Sequence, residues 1–277
     1  MQSGNQPPVC LTIAGLDPSG GAGIIADIKT FAAFGCFPAA AVTSITFQNS
    51  NDFFGSEHQS AFSILRQIEV VLDETPKLTA KTGMLPTRDI VATVAGLGIE
   101  RPWRYLVIDP VIRSSSGHEL METDALQTML KLLFPLATLV TPNIPEAEEI
   151  TGMKIRSVDD IHKAAALIQS MGAQNVLIKG GHGLSAECEV RSAESKPKEA
   201  ADYLFGVGGA LTFNGEFIEG ASARGTGCRL ASAIAANLAL GKNLDEAVRI
   251  AKDYVSRYIH GCSMARDAAV DISDGVN

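Results

Sequence analysis

Arg224-Gly225-Thr226-Gly227-Cys228 runs directly into the alanine-rich stretch Arg229–Ala236. Glycines and a small hydroxyl residue at a helix start leave backbone N–H groups without acceptors, at the positive end of the helix dipole. Such a turn suits an anion, including the charge that develops on a phosphoryl group in transfer. Cys228 falls in the first helical turn, where the same dipole favours a thiolate. A second reading stays open, a tightly packed helix start with an inert buried cysteine.

Two acidic segments and one basic segment follow apolar runs. Asp109-Pro110-Val111 ends one, which points the Asp109 carboxylate toward the carboxyl edge of a sheet, where open α/β folds bind ligands. Thr141-Pro142-Asn143-x-x-Glu146-Ala147-Glu148 ends the next. A carboxylate with an amide and a second carboxylate suits Mg²⁺, which takes few protein ligands and fills the rest with water and phosphate oxygens. Acids also favour the first turn of a helix for purely structural reasons. Lys179-Gly180-Gly181-His182 closes a further run, either as a simple turn or as a cation near nucleotide phosphates.

Gly15-Leu16-Asp17-Pro18-Ser19-Gly20-Gly21-Ala22-Gly23 makes a glycine-rich turn. Gly15 and Gly20 have the Walker A spacing, but Gly21 and Ala22 stand where its Lys and Ser/Thr belong. Gly21-x-Gly23-x-x-Ala26 meets the dinucleotide fingerprint, yet Gln48-Asn49 replace the ribose-binding acid after the next strand. What remains is a tight turn needing positive φ, or a pocket where bare backbone approaches a small molecule oriented by Asp17, Asp27 and Gln48.

These segments need strands that end together. Apolar runs at Val9–Ala14, Pro38–Phe47, Leu78–Thr82, Tyr105–Asp109, Leu136–Thr141 and Val176–Lys179 alternate with helical spacing at 20–34, Ala61–Leu72, Asp89–Leu97, Thr123–Phe134 and Asp159–Met171. This alternation predicts an α/β fold, a three-layer α/β/α sandwich with a mainly parallel central sheet. Residues 183–201 read as a mobile loop, and 1–8 as a flexible N-terminus. Asp202–Phe205, Leu211–Phe213 and Glu216–Ile218 read as a small antiparallel meander, before two helices at Thr226–Leu240 and Leu244–Gly261. No repeat or long linker divides the 277 residues, so one domain over 1–277 is expected.

Composition narrows the partners. A net charge of -8 argues against a nucleic-acid surface or an anionic-membrane patch. No run of about 18 apolar residues would span a bilayer, and no secretory signal is visible. Five cysteines, widely spaced and without a CxxC pair, fit a reducing compartment, so a cytoplasmic protein is expected.

Taken in order, Gly-Leu-Asp-Pro-Ser-Gly-Gly-Ala-Gly-Ile at 15–24, Thr-x-Gln-Asn at 46–49, Lys-Thr-Gly-Met-Leu at 81–85, Asp-Pro-Val at 109–111, Thr-Pro-Asn-x-x-Glu-Ala-Glu at 141–148, Lys-Gly-Gly-His at 179–182 and Gly-Thr-Gly-Cys at 225–228 resemble one family. It is the hydroxymethylpyrimidine/phosphomethylpyrimidine kinases of thiamin biosynthesis, in the ribokinase-like superfamily. The resemblance runs from about Leu11 to Tyr258.

It implies ATP- and Mg²⁺-dependent phosphorylation of 4-amino-5-hydroxymethyl-2-methylpyrimidine and then of its monophosphate, by a homodimer. Carried onto this sequence, it places Gly15, Ala22, Gln48, Met84 and Val111 in the pyrimidine pocket, with Asp27 on the substrate side. It gives Asp109 and Glu146 to Mg²⁺, and Lys179, Asn143, Gly225 and Gly227 to the nucleotide. Gly225, Thr226 and Gly227 become the anion hole, with Cys228 in the position of the catalytic base. Arg224 and Arg229 replace a usual His and Thr, and Ile25 a frequent Gln. Rival readings are a pyridoxal/pyridoxine kinase of the same fold and a non-catalytic ligand-binding module.

Overall fold

The computed structural model describes residues 6–49, 51–114, 117–180, 199–216 and 224–273. The strands are β1 (Val9–Leu16), β2 (Phe37–Gln48), β3 (Phe53–His58), β4 (Thr79–Thr82), β5 (Tyr105–Ile108), β6 (Leu139–Val140), β7 (Val176–Lys179), β8 (Glu199–Gly206) and β9 (Gly209–Glu216). They form one sheet in the order β3-β2-β1-β4-β5-β6-β7-β8-β9. From β2 through β7 all neighbours are parallel, and antiparallel strands extend the sheet at both ends.

Helices cover both faces because strand side chains alternate in direction. Leu11, Ile13, Leu106 and Ile108 pack on one face with Ile64, Ile68 and Leu72 of α2 (Ala61–Glu74), Val91 and Val94 of α3 (Arg88–Glu100), and Ile161 and Ile168 of α6 (Val158–Ser170). Cys10 and Val107, their neighbours in sequence, point the other way. There they meet Phe31 of α1 (Gly23–Ala33), Ile234 of α7 (Thr226–Ala239) and Val248 of α8 (Leu244–Ser273). Every residue of α7 from Arg229 to Ala239 is buried, and its many alanines let it lie close to the sheet.

Several boundaries differ from the sequence reading. Thr123–Phe134 is not one helix: α4 (Thr123–Thr128) passes into a π-helical turn over Met129–Leu133 and a 3₁₀ turn over Phe134–Leu136. Pro135 has no N–H to continue the ladder. The expected strand Leu136–Thr141 shrinks to β6, and α1 starts at Gly23 rather than near residue 20. The strand β3 was not expected; Asn49 and Asp52 fold a turn before it, with Asp52 N–H donating to Asn49 Oδ1 at 2.9 Å. The meander is instead a β8–β9 hairpin continuing the main sheet, with Ala200 and Ala201 inside β8. Of the expected mobile loop, 183–198 lie outside the described residues, as do 217 and 218. Pro8 is tied down, its carbonyl accepting from Phe37 N–H at 2.9 Å. No helix among the described residues is long and apolar enough to cross a membrane.

Candidate active site

The parallel strands end at one edge and deliver their next residues to a single cavity of about 530 Å³. Asp109 follows β5, buried, and accepts from Lys179 Nζ at 2.9 Å. Lys179 closes β7 and also lies 3.9 Å from Glu146 Oε2. Glu146 and Asn143 form a capping box at the start of α5 (Ile144–Thr151). Asn143 Oδ1 accepts from Glu146 N–H at 2.8 Å, and Glu146 Oε2 accepts from Asn143 N–H at 2.7 Å. That leaves Nδ2 of Asn143 and a second lone pair on its Oδ1 for a ligand.

Charge is short of balance here. Burial pushes Asp109 up, but Lys179 and Lys81 outweigh it and hold the carboxyl below its ordinary range. Burial pushes Glu146 up to about 7, with Asp109 adding to the effect and Lys179 opposing it. A buried carboxyl so placed gains from further positive charge. Among the described residues no three His, Cys, Asp or Glu side chains converge to hold a metal ion. The donor set therefore suits an ion that shares its shell with water and phosphate oxygens, as Mg²⁺ does.

The start of α7 closes the same cavity. Gly225 caps it with φ 69°, a left-handed conformation that glycine tolerates. A Cβ there would strike the Gly21 carbonyl, so the cap and the glycine turn touch backbone to backbone. Arg229 fastens this contact: Nη1 donates to the carbonyls of Gly21 at 2.7 Å and Arg224 at 3.1 Å, while its guanidinium stacks 3.9 Å from the Tyr258 ring. The first amides of α7, from Thr226 to Cys228, lack intrahelical acceptors and border the cavity.

Cys228 is not the partly ionised thiol that helix position alone predicts. Burial, with Asp109 and Asp27, pushes it up to about 11, although Lys81 and the Gly23 amide pull the other way. Desolvation and two carboxylates outweigh the dipole.

Asp27 also departs from expectation, because it does not line the cavity. It is fully buried between four elements and accepts from Thr12 Oγ1 at 2.6 Å, Ser232 Oγ at 2.7 Å and Lys81 Nζ at 3.0 Å. Lys81 does reach the cavity wall. Sequence reasoning missed it, though a lysine inside the apolar strand Leu78–Thr82 signals a buried partner.

Gly15, Ala22, Gln48, Met84 and Val111 line the other end of the cavity. Asp17 shapes the glycine turn by accepting from Ser19 N–H and Ala22 N–H, both at 2.9 Å. Asn49, Asp52 and Phe53, from the unexpected β2–β3 hairpin, complete this end. So does Arg224, whose Nη2 donates to Gln48 Oε1 at 2.8 Å.

Residues 17–270 match the family described as phosphomethylpyrimidine kinase. The chain belongs to that family. Its members are phosphotransferases, and the mostly parallel sheet flanked by helices is their ribokinase-like fold. Among curated relatives, the hydroxymethylpyrimidine/phosphomethylpyrimidine kinase of Staphylococcus aureus (strain MSSA476) is 39% identical over 258 residues, 92% of this chain and 88% of the relative. The crystal structure of phosphomethylpyrimidine kinase from Clostridium difficile 630 superposes with a TM-score of 0.77 at 38% identity, covering 91% of this chain and 99% of that one. Staphylococcus aureus pyridoxal kinase in complex with ADP superposes with a TM-score of 0.78 at 32% identity, covering 90% and 87%.

Proposed function

We propose that this phosphomethylpyrimidine-kinase family member transfers the γ-phosphoryl group of ATP to the hydroxymethyl oxygen of 4-amino-5-hydroxymethyl-2-methylpyrimidine, and then to the resulting monophosphate, in thiamin biosynthesis. The observation that carries the reading is the meeting, at one cavity, of the α7 amides with the Asp109–Lys179–Glu146 cluster and the Gln48 end. Phosphoryl transfer through a loose transition state needs positioning and charge neutralisation more than a strong base.

In this reading Gln48, Met84 and Val111 hold the pyrimidine, and Gly15 and Ala22 let bare backbone approach it. The amides of residues 225–228 take the charge on the transferring group. Lys179 and Asn143 Nδ2 bind nucleotide phosphates. Asp109 and Glu146 would hold Mg²⁺ directly or through water, where the ion would draw charge from the β and γ oxygens. The alcohol oxygen forms the new P–O bond as the bond to the ADP oxygen breaks, and Cys228 accepts the alcohol proton as its thiolate. We assign the activity to one domain in a cytoplasmic homodimer. Phe47 and Phe54, 49% and 69% exposed at the β2–β3 edge, supply apolar surface for such an interface.

Steady-state assays with ATP against the pyrimidine alcohol, its monophosphate and pyridoxal test the reading. Both pyrimidines are expected to be phosphorylated with higher kcat/KM than pyridoxal. A preference for pyridoxal would overturn it.

A further inference from the structure

At the acceptor end of the cavity, three side chains fix one another's protons. Arg224 Nη2 donates to Gln48 Oε1 at 2.8 Å. Its Nη1 donates to Ser19 Oγ at 3.2 Å and to the Asn49 carbonyl, and Asp17 lies 3.5 Å from Nη2. A guanidinium has donors only, so the Gln48 atom facing it must be the oxygen. The other end of the amide is equally determined. Gln48 Nε2 lies 2.9 Å from Thr46 Oγ1, and Thr46 gives its single hydroxyl proton to the Leu16 carbonyl, also at 2.9 Å. The Thr46 oxygen must therefore accept from Gln48.

One Nε2–H of Gln48 remains. It has no acceptor among the described residues, and Gln48 lines the cavity. Turning the amide over would set its NH₂ against the guanidinium and its oxygen against a Thr46 oxygen that has no proton to give. Both hydrogen bonds would be lost, one of them charge-assisted. Asp17 keeps the guanidinium in place, and Asp17 is itself fixed by the amides of Ser19 and Ala22.

We propose that Arg224 is a positioning residue that sets acceptor specificity. It locks the Gln48 amide with its N–H toward the acceptor, so that the pocket selects an aromatic alcohol whose polar edge offers a ring-nitrogen lone pair. This deepens the pyrimidine reading above and rests on it. A 4-aminopyrimidine offers such a lone pair beside its amine. The 4-oxo counterpart carries a hydrogen on that ring nitrogen and meets the Gln48 N–H donor to donor.

The test compares kcat/KM for 4-amino-5-hydroxymethyl-2-methylpyrimidine and its 4-oxo counterpart in the wild type, Arg224→Met and Arg224→Lys. The wild type should favour the amino compound by about 10²-fold, the scale for a donor left unpaired once the bound acceptor covers it. Arg224→Met frees the amide to turn over, so the ratio should fall at least tenfold through the acceptor KM values, with the KM for ATP unchanged. Arg224→Lys should keep most of the ratio, because an ammonium also only donates. An unchanged ratio in Arg224→Met, or a lysine variant that behaves like the methionine one, would overturn the proposal. A wild type that uses both alcohols equally removes this inference alone. One that uses neither removes the pyrimidine reading and the inference with it.

Discussion

Cys228 shows how far a residue's surroundings can override its position in an element. At a helix start its thiol would titrate below the usual ~8.5, yet burial and the carboxylates of Asp109 and Asp27 push it up to about 11. A base with so high a pKa is strong but scarce at neutral pH, and its thiolate fraction grows about tenfold per pH unit below 11. Turnover of the wild type should therefore rise with pH between 7 and 9. Cys228→Ala should lose roughly 10²–10⁴-fold in kcat with the KM for ATP nearly unchanged. Cys228→Asp should retain more activity than the alanine variant and show a flat profile over that range, because a carboxylate is already ionised. Near-normal turnover in Cys228→Ala would return the work to the residue 225–228 amides and the phosphate-binding charges. The acidic edge was legible in the sequence because Asp109, Glu146 and Lys179 all follow apolar runs. The partners of Lys81, Arg224 and Asp27 were not. They lie 54, 176 and 205 positions away along the chain.

Among the elements, α7 has the most exacting placement. Its first amides serve the cavity only if the cap at Gly225 lies against Gly21. Gly225→Ala should therefore fail in two ways. The left-handed φ of 69° costs an L residue ~1–2 kcal/mol, and the added Cβ would lie 2.9 Å from the Ala22 Cα as well as against the Gly21 carbonyl. Urea unfolding should show a loss above that strain alone, and kcat should fall as the helix start shifts. Gly241→Ala is the control: its φ is 88°, but nothing lies within 4 Å of the new Cβ. It should lose only the strain energy and keep full turnover. Equal effects of the two substitutions would show that the α7 cap is not placed by this contact. Elements with a strong period, such as α2 and the buried strands β1, β4, β5 and β7, could be read from sequence within a residue or two, whereas α3 runs on to Glu100, three residues past its expected end. β3 could not, since Phe53-Phe54-Gly55-Ser56-Glu57-His58 has no apolar alternation and exists by pairing with β2. The π-helical turn at Met129–Leu133 likewise leaves no local signature.

For the molecule as a whole, the parallel sheet gathers its functional charges at one edge, where the lysines favour the charge of Asp109 but Glu146 is held against its own charge. Its carboxyl, pushed up to about 7 by burial, would titrate at 4.5 in the unfolded chain. Between those two values the folded protein holds a proton that the unfolded chain has released, so stability falls as pH rises. The stabilising contribution is complete below pH 4.5 and is lost by the time pH has passed through 7. At about 1.4 kcal/mol per pH unit, the loss is on the order of 3 kcal/mol. Glu146→Gln removes the charge but not the cap, because a glutamine oxygen also accepts from the Asn143 N–H in a capping box. In EDTA, the variant should unfold at higher urea than the wild type at pH 8 and at about the same urea at pH 4.5. Turnover with ATP should drop, since the carboxylate that would attract a divalent cation is gone. That combination, a more stable but less active protein, is expected where a site keeps an unfavourable charge for its chemistry. A variant no more stable than the wild type at pH 8 would mean that Lys179, 3.9 Å away, already compensates the charge, and that this edge of the sheet does not trade stability for activity.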